Sequence, residues 1–275
     1  MEKKFVPLTT GVRMEYLERG PADGLPVVFL HGITDSWRSF EHVLPLLPTH
    51  VRAFALSARG HGDSSRPAEG YELADMAGDV RAFLDALQVP RVVLVGHSMG
   101  SLVAQRFAVD HPDRVAALAL VGAFETLFRD PGVTELVEST ILALTDPIAA
   151  DFAREWQRSS LAGPMDAGHL DAVVAETLKV PAHVWHQAFT ALIGTPDFSA
   201  GLRRVTAPSL VVWGDQDAYA PRERQDRLMA ALPSARLVVH EGVGHAPHWG
   251  NPARFTADLV TLLERVPRAG ADGPR

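Results

Sequence analysis

Short apolar runs alternate with longer amphipathic stretches through the first half of the chain, and this alternation restricts the fold more than any other feature. Val27-Val-Phe-Leu30, Arg52-Ala-Phe-Ala-Leu56, Arg91-Val-Val-Leu-Val95 and Ala116-Ala-Leu-Ala-Leu-Val121 are short, nearly unbroken apolar runs bounded by Gly, Pro or charge. Each reads as a strand buried on both faces. Between them, residues 73, 76, 77, 80, 83, 84 and 87 are apolar, the spacing of one helical face. A second helix is predicted over 99–109, ending near Asp110-His-Pro112. Strands joined by helices give a parallel sheet covered on both sides.

The ends of the chain extend that sheet. Lys4–Pro7 and Met14–Arg19, joined through Thr10-Gly11, fit an antiparallel start. Ser209–Trp213 and Ala235–His240 add two late strands, and Arg254–Leu263 a closing amphipathic helix. From 124 to 200 the rhythm breaks. Helical stretches are predicted at 133–144, 147–158, 168–178 and 182–193, punctuated by Pro131, Pro147, Pro164 and Pro181. A helical insertion after the sixth strand is expected to lie over strand ends, where open α/β sheets bind ligands. The expected division is a core at 1–123 and 201–266, a helical cap at 124–200 and a flexible tail at 267–275.

Composition narrows the function classes. A chain of 275 residues with 47% hydrophobic and 21% charged residues is globular in character. A net charge of −7 gives no electrostatic reason to expect nucleic acid or an anionic membrane as partner. With no cysteine, there is no thiol nucleophile, disulfide or Cys-ligated metal. No apolar stretch follows Lys3-Lys4 as in a secretory leader, and none approaches the length of a membrane span. A cytoplasmic protein, monomeric or homodimeric, is the expectation.

Chemistry concentrates at strand ends. Gly96-His97-Ser98-Met99-Gly100 falls between a strand and a helix, the setting in which a sharp turn exposes a serine at a helix N-terminus. A serine hydroxyl needs a base. His245, in Glu241-Gly-Val-Gly-His-Ala-Pro247 after the last strand, is the candidate, with His248 as competitor. The base needs a carboxylate to fix its tautomer. Asp217 in Gly214-Asp-Gln-Asp217 is favoured, Asp215 reads as a turn residue, and Glu125 is the alternative. For the oxyanion, the backbone N–H groups of Ile33, in His31-Gly32-Ile33, and of Met99 are the expected donors. Phe124, Trp156, Trp185 and Phe189 are candidates for an apolar substrate pocket, although an aromatic residue at helical spacing is more often part of the cap's own core.

These residues resemble the α/β-hydrolase superfamily over about 5–265, through the His-Gly loop, Arg59-Gly-His-Gly-Asp-Ser64, Gly96-His-Ser-Met-Gly-Ser101, Gly214-Asp-Gln-Asp217 and Gly244-His245. Gly32-Ile-Thr-Asp-Ser-Trp-Arg-Ser39 and Val180-Pro-Ala-His-Val-Trp185 are similar to a bacterial subgroup of small capped hydrolases. The resemblance implies an α/β fold with a mostly parallel central sheet and a serine hydrolase acting on an ester or lactone without a cofactor or metal. Carbon–carbon (diketone) hydrolases, cofactor-free perhydrolases and ligand receptors of this fold share the pattern. Dehalogenases and epoxide hydrolases carry Asp where this chain has Ser98. Two positions depart from the pattern: the acid usual before Arg-Gly-His-Gly is absent from Leu56-Ser-Ala58, and Gly250 stands where an acid is common.

Overall fold

A computed structural model describes residues 2–163 and 165–267, so Pro164 and all of the expected tail beyond Pro267 lie outside the described residues. Eight strands form one sheet: β1 (Lys3–Pro7), β2 (Arg13–Arg19), β3 (Leu25–Leu30), β4 (Val51–Leu56), β5 (Val92–His97), β6 (Val115–Val121), β7 (Ser209–Gly214) and β8 (Ala235–His240). Their spatial order is β1-β2-β4-β3-β5-β6-β7-β8. The β1–β2 and β2–β4 pairs are antiparallel and every later pair is parallel.

The helices are α1 (Leu73–Ala86), α2 (Met99–Asp110), α3 (Pro131–Ser139), α4 (Ala150–Arg158), α5 (Ala167–Thr177), α6 (Ala182–Gly194), α7 (Ser199–Leu202), α8 (Arg222–Ala231), α9 (Pro247–Gly250) and α10 (Pro252–Leu263). Local chemistry sets several starts. Asp130 and Asn251 accept from the third N–H of α3 and α10, and each helix opens on proline, whose missing donor costs nothing there.

Side-chain alternation along the strands builds a core on each side of the sheet. Val28, Leu30, Phe54, Leu56, Leu94, Leu118 and Leu120 face α1, α2 and the insertion. Val27, Phe29, Ala53, Ala55, Val93, Val95, Ala117 and Ala119 face α10 and the 37–47 segment. Helices α3 to α7 all lie between β6 and β7, as the break in rhythm predicts. The expected 133–144 stretch is shorter, ending as α3 at Ser139 with a separate turn of helix at Ile141–Ala143. α8 has too few apolar residues for its period to show in the sequence.

Beside the turn that lacks an acid before Arg59, a carboxylate comes from the neighbouring strand. Glu15 on β2, fully buried, accepts from Ser57 Oγ (2.8 Å) and from Asp63 N–H (2.8 Å), and pairs with Lys3 at 3.0 Å. Gly250 ends α9 at an exposed position.

Candidate active site

β5 is buried throughout and delivers the chain into a turn that only small neighbours permit. A Cβ on Gly96 would lie 2.2 Å from the carbonyl oxygen of Gly100, and one on Gly100 would lie 2.2 Å from that of Leu30. Between them Ser98 sits at φ 52°, ψ −117°, a strained backbone for a non-glycine residue. Its N–H donates to Val121 O (3.1 Å), while its carbonyl accepts from Ser101 Oγ (2.6 Å), which fixes the turn. The Ser98 side chain meets a cavity at the start of α2.

His245 and Asp217 reach the same place from the loops after β8 and β7. His245 Nδ1 is 2.8 Å from Asp217 Oδ2, and both side chains are buried. Asp217 Oδ1 accepts from the N–H groups of Tyr219 and Ala220, each at 2.9 Å, so its orientation is fixed by backbone. With Nδ1 engaged, Nε2 is the ring nitrogen left for the cavity. The backbone of His245 is tied on both sides: its N–H donates to Ser160 O in the insertion (2.9 Å), and its carbonyl accepts from His97 Nε2 (3.1 Å). Phe124 stacks on the imidazole at 5.9 Å.

The alternatives considered for base and acid are placed elsewhere. His248 is bonded to Ser39 Oγ at 3.0 Å, pairs with no carboxylate among the described residues and is held well below its ordinary pKa by burial and then by His169 and His245. Asp215 caps a turn by accepting from Gly242 N–H at 2.7 Å. Glu125 is paired with Arg227 at 2.5 Å and Arg224 at 3.9 Å. The Ile33 and Met99 N–H groups donate to no acceptor among the described residues. His31 shapes this loop from behind. Its Nδ1 is 2.6 Å from Gly32 O and its Nε2 accepts from Ala58 N–H, and burial pushes its pKa down to about 4.

The cavity, about 80 Å³, is lined by Ile33, Ser98 and His245 and by Phe124, Trp156 and Phe189 among the expected aromatics. Trp185 corrects the expectation. It is fully buried inside the insertion, donates to Val180 O and packs behind Trp156 and Phe189 without reaching the cavity. Its helical spacing shows that it is buried, not which side it faces. Tyr219, Leu127, Val133, Leu136, Leu192 and Trp249 also line the cavity and carry no motif in the sequence. They come from the 124–200 segment and from the stretches after β7 and β8, and only the folded chain groups them.

A family profile described as alpha/beta hydrolase fold matches residues 26–252. The chain belongs to the alpha/beta hydrolase family. This hydrolase is 34% identical to the protein named "Putative carbamate hydrolase RutD" of Variovorax paradoxus, over 94% of its own length and 98% of the relative's. It is 28% identical to a non-heme chloroperoxidase of Streptomyces lividans, over 94% and 99% of the two chains. Among solved structures it is similar to the esterase RhEst1 of Rhodococcus sp., with 26% identity, a TM-score of 0.86 and coverage of 97% and 100%. Family and relatives together make it a hydrolytic enzyme. No helix among its described residues is long and apolar enough to cross a membrane.

Proposed function

We propose that this hydrolase cleaves a small carboxylic ester or lactone through Ser98, His245 and Asp217, with 124–200 acting as a cap over the pocket. The observation that carries the reading is the strained elbow at Ser98 opening on the same cavity as a carboxylate-held histidine. His245 Nε2 takes the hydroxyl proton as Ser98 Oγ attacks the carbonyl carbon. Ile33 and Met99 N–H groups receive the oxyanion, with the α2 N-terminus adding a favourable dipole. The imidazolium then protonates the leaving alcohol, and water activated by His245 releases the acid and regenerates Ser98.

Cavity size narrows the substrate. A water-sized group needs about 10–15 Å³ by this measure, so 80 Å³ holds roughly five to eight non-hydrogen atoms. Short acyl groups or small lactones fit best. The likeness to a non-heme chloroperoxidase favours cofactor-free perhydrolysis as the second reading, with hydrogen peroxide replacing water at the acyl-enzyme.

The test is a panel of p-nitrophenyl esters of rising chain length beside simple lactones, with and without peroxide. Turnover should peak at short acyl chains and vanish in Ser98→Ala. A fluorophosphonate probe should label the wild type once, at Ser98. Labelling elsewhere, or activity surviving in the alanine variant, would overturn the assignment.

A further inference from the structure

We propose that Asp35 and Gln157 form a polar subsite in the cavity wall and that it selects esters bearing a hydroxyl on the half held inside. The inference rests on the hydrolase reading above and adds the substrate class. Both residues line the cavity with Ser98 and His245, in a wall that is otherwise mainly Leu, Val and aromatic. Asp35 is 2% exposed. Its Oδ1 accepts from Ser36 N–H (2.8 Å), and its Oδ2 has no hydrogen-bond partner among the described residues. The Ser39 hydroxyl oxygen is engaged by His248 Nε2 and Trp249 Nε1, and its O–H acts on Asp35 only from beyond hydrogen-bond distance. Gln157 is 3% exposed, gives its amide N–H to Thr177 Oγ1 (2.6 Å), and its carbonyl oxygen accepts nothing among the described residues. A buried carboxyl oxygen without a partner, and an amide oxygen that accepts nothing, in one mainly apolar cavity mark a place that a ligand completes.

The protonation of Asp35 decides what fits. Burial pushes its pKa up to about 7, against the Ser39 hydroxyl and the Ser36 N–H, with Glu176 and Glu41 adding to the rise. Glu176 on α5 is paired with Arg38 and Lys179, and Glu41 with Arg38. On the cavity side stand His245 and His97, and beyond Ser39 lies His248. Burial keeps His97 and His248 neutral. Below about pH 7, Asp35 offers an O–H and Gln157 a carbonyl, so one substrate hydroxyl accepts from the first and donates to the second. Above it the subsite presents two acceptors to a group with one proton, and the match is lost.

Two matched substrate pairs test this: p-nitrophenyl butanoate against its 3-hydroxy analogue, and butyl acetate against 4-hydroxybutyl acetate. The readout is the ratio of kcat/KM, hydroxylated over plain, in which any pH dependence common to both substrates cancels. The ratio should be about tenfold at about pH 5.5 in at least one pair and fall toward one by about pH 8.5. Asp35→Leu and Gln157→Leu should bring it to one or below at every pH. Asp35→Asn, which keeps a donor, should retain the preference and lose its pH dependence. A wild-type ratio of one in both pairs, or a preference intact in both leucine variants, overturns the subsite while Ser98-dependent turnover still stands. Turnover that survives Ser98→Ala overturns the hydrolase reading and this inference with it.

Discussion

In the proposed triad a carboxylate fixes the tautomer of the base, and Asp217 Oδ2 lies 2.8 Å from His245 Nδ1. Asp217 itself has no freedom, since two backbone N–H groups fix its other oxygen. Asp217→Asn keeps the shape and leaves the imidazole in the wrong tautomer, so kcat/KM on a short ester should fall by about 10⁴. Glu125→Gln should stay within about threefold of wild type, because that carboxylate serves Arg227 and Arg224. Steady-state kinetics of both variants decide between the two acids, and a crippled Glu125→Gln enzyme would reverse the assignment. Ser98, His245 and Asp217 could be singled out as candidates in the sequence because glycine spacing and strand-end position are local constraints. The side that Trp185 faces was not legible. A helix with apolar residues on several faces does not say which face meets substrate, and here Trp156 and Phe189 stand between it and the cavity.

At the level of elements, the turn from β4 to Arg59-Gly-His-Gly depends on a carboxylate from another strand. Glu15 reaches Ser57 Oγ and Asp63 N–H from β2, and its own backbone pairs with this turn through Ser57 N–H (3.0 Å) and Ser64 Oγ (2.8 Å). Glu15→Ala strands those donors in a buried site. The loss should be roughly 2–4 kcal/mol, read as the urea midpoint at unchanged m-value. Adding Ser57→Asp to that variant should restore most of the loss, since it removes the stranded Ser57 hydroxyl and offers a carboxylate to Asp63 N–H. If the double variant is no more stable than Glu15→Ala alone, Glu15 does not stand in for the missing acid. The departure at Leu56-Ser-Ala58 was visible in the sequence. Its compensation was not, because antiparallel pairing of β2 with β4 brings together residues 42 positions apart.

Over the whole molecule, buried histidines and a chain of ion pairs set the response to pH. Burial is the first cause holding His31 at about 4, His61 at about 3, and His97, His240 and His248 also below the ordinary value of 6.5. Unfolded, these rings take up protons near pH 6.5 while the folded ones remain neutral. The unfolded state therefore binds more protons between about 6.5 and the folded values, and stability rises with pH across that window. Their contribution is complete above about pH 7 and is lost as pH falls, at up to about 1.4 kcal/mol per pH unit for each ring. Thermal melts should show Tm dropping steadily from pH 7 to pH 5, and a constant Tm over that range would refute the argument. The core and the insertion are joined by Lys3–Asp63–Lys179–Glu176–Arg38–Glu41, a partly exposed series that high salt weakens.

By itself the sequence determined the β/α alternation, the helical break at 124–200, the elbow glycines and the identities of the triad candidates. These follow from periodicity, from turn sterics and from which side chains can do the chemistry, all readable over a few residues. Tertiary structure alone decided the order of the strands, the burial of Trp185 and the placing of Asp35 and Gln157 along one cavity. Asp35 and Gln157 are 122 positions apart, and nothing local to either specifies that α4 packs above the loop after β3. Long-range packing brings the two to one cavity, as α4 meets that loop through Trp156 Nε1 and Thr34 Oγ1.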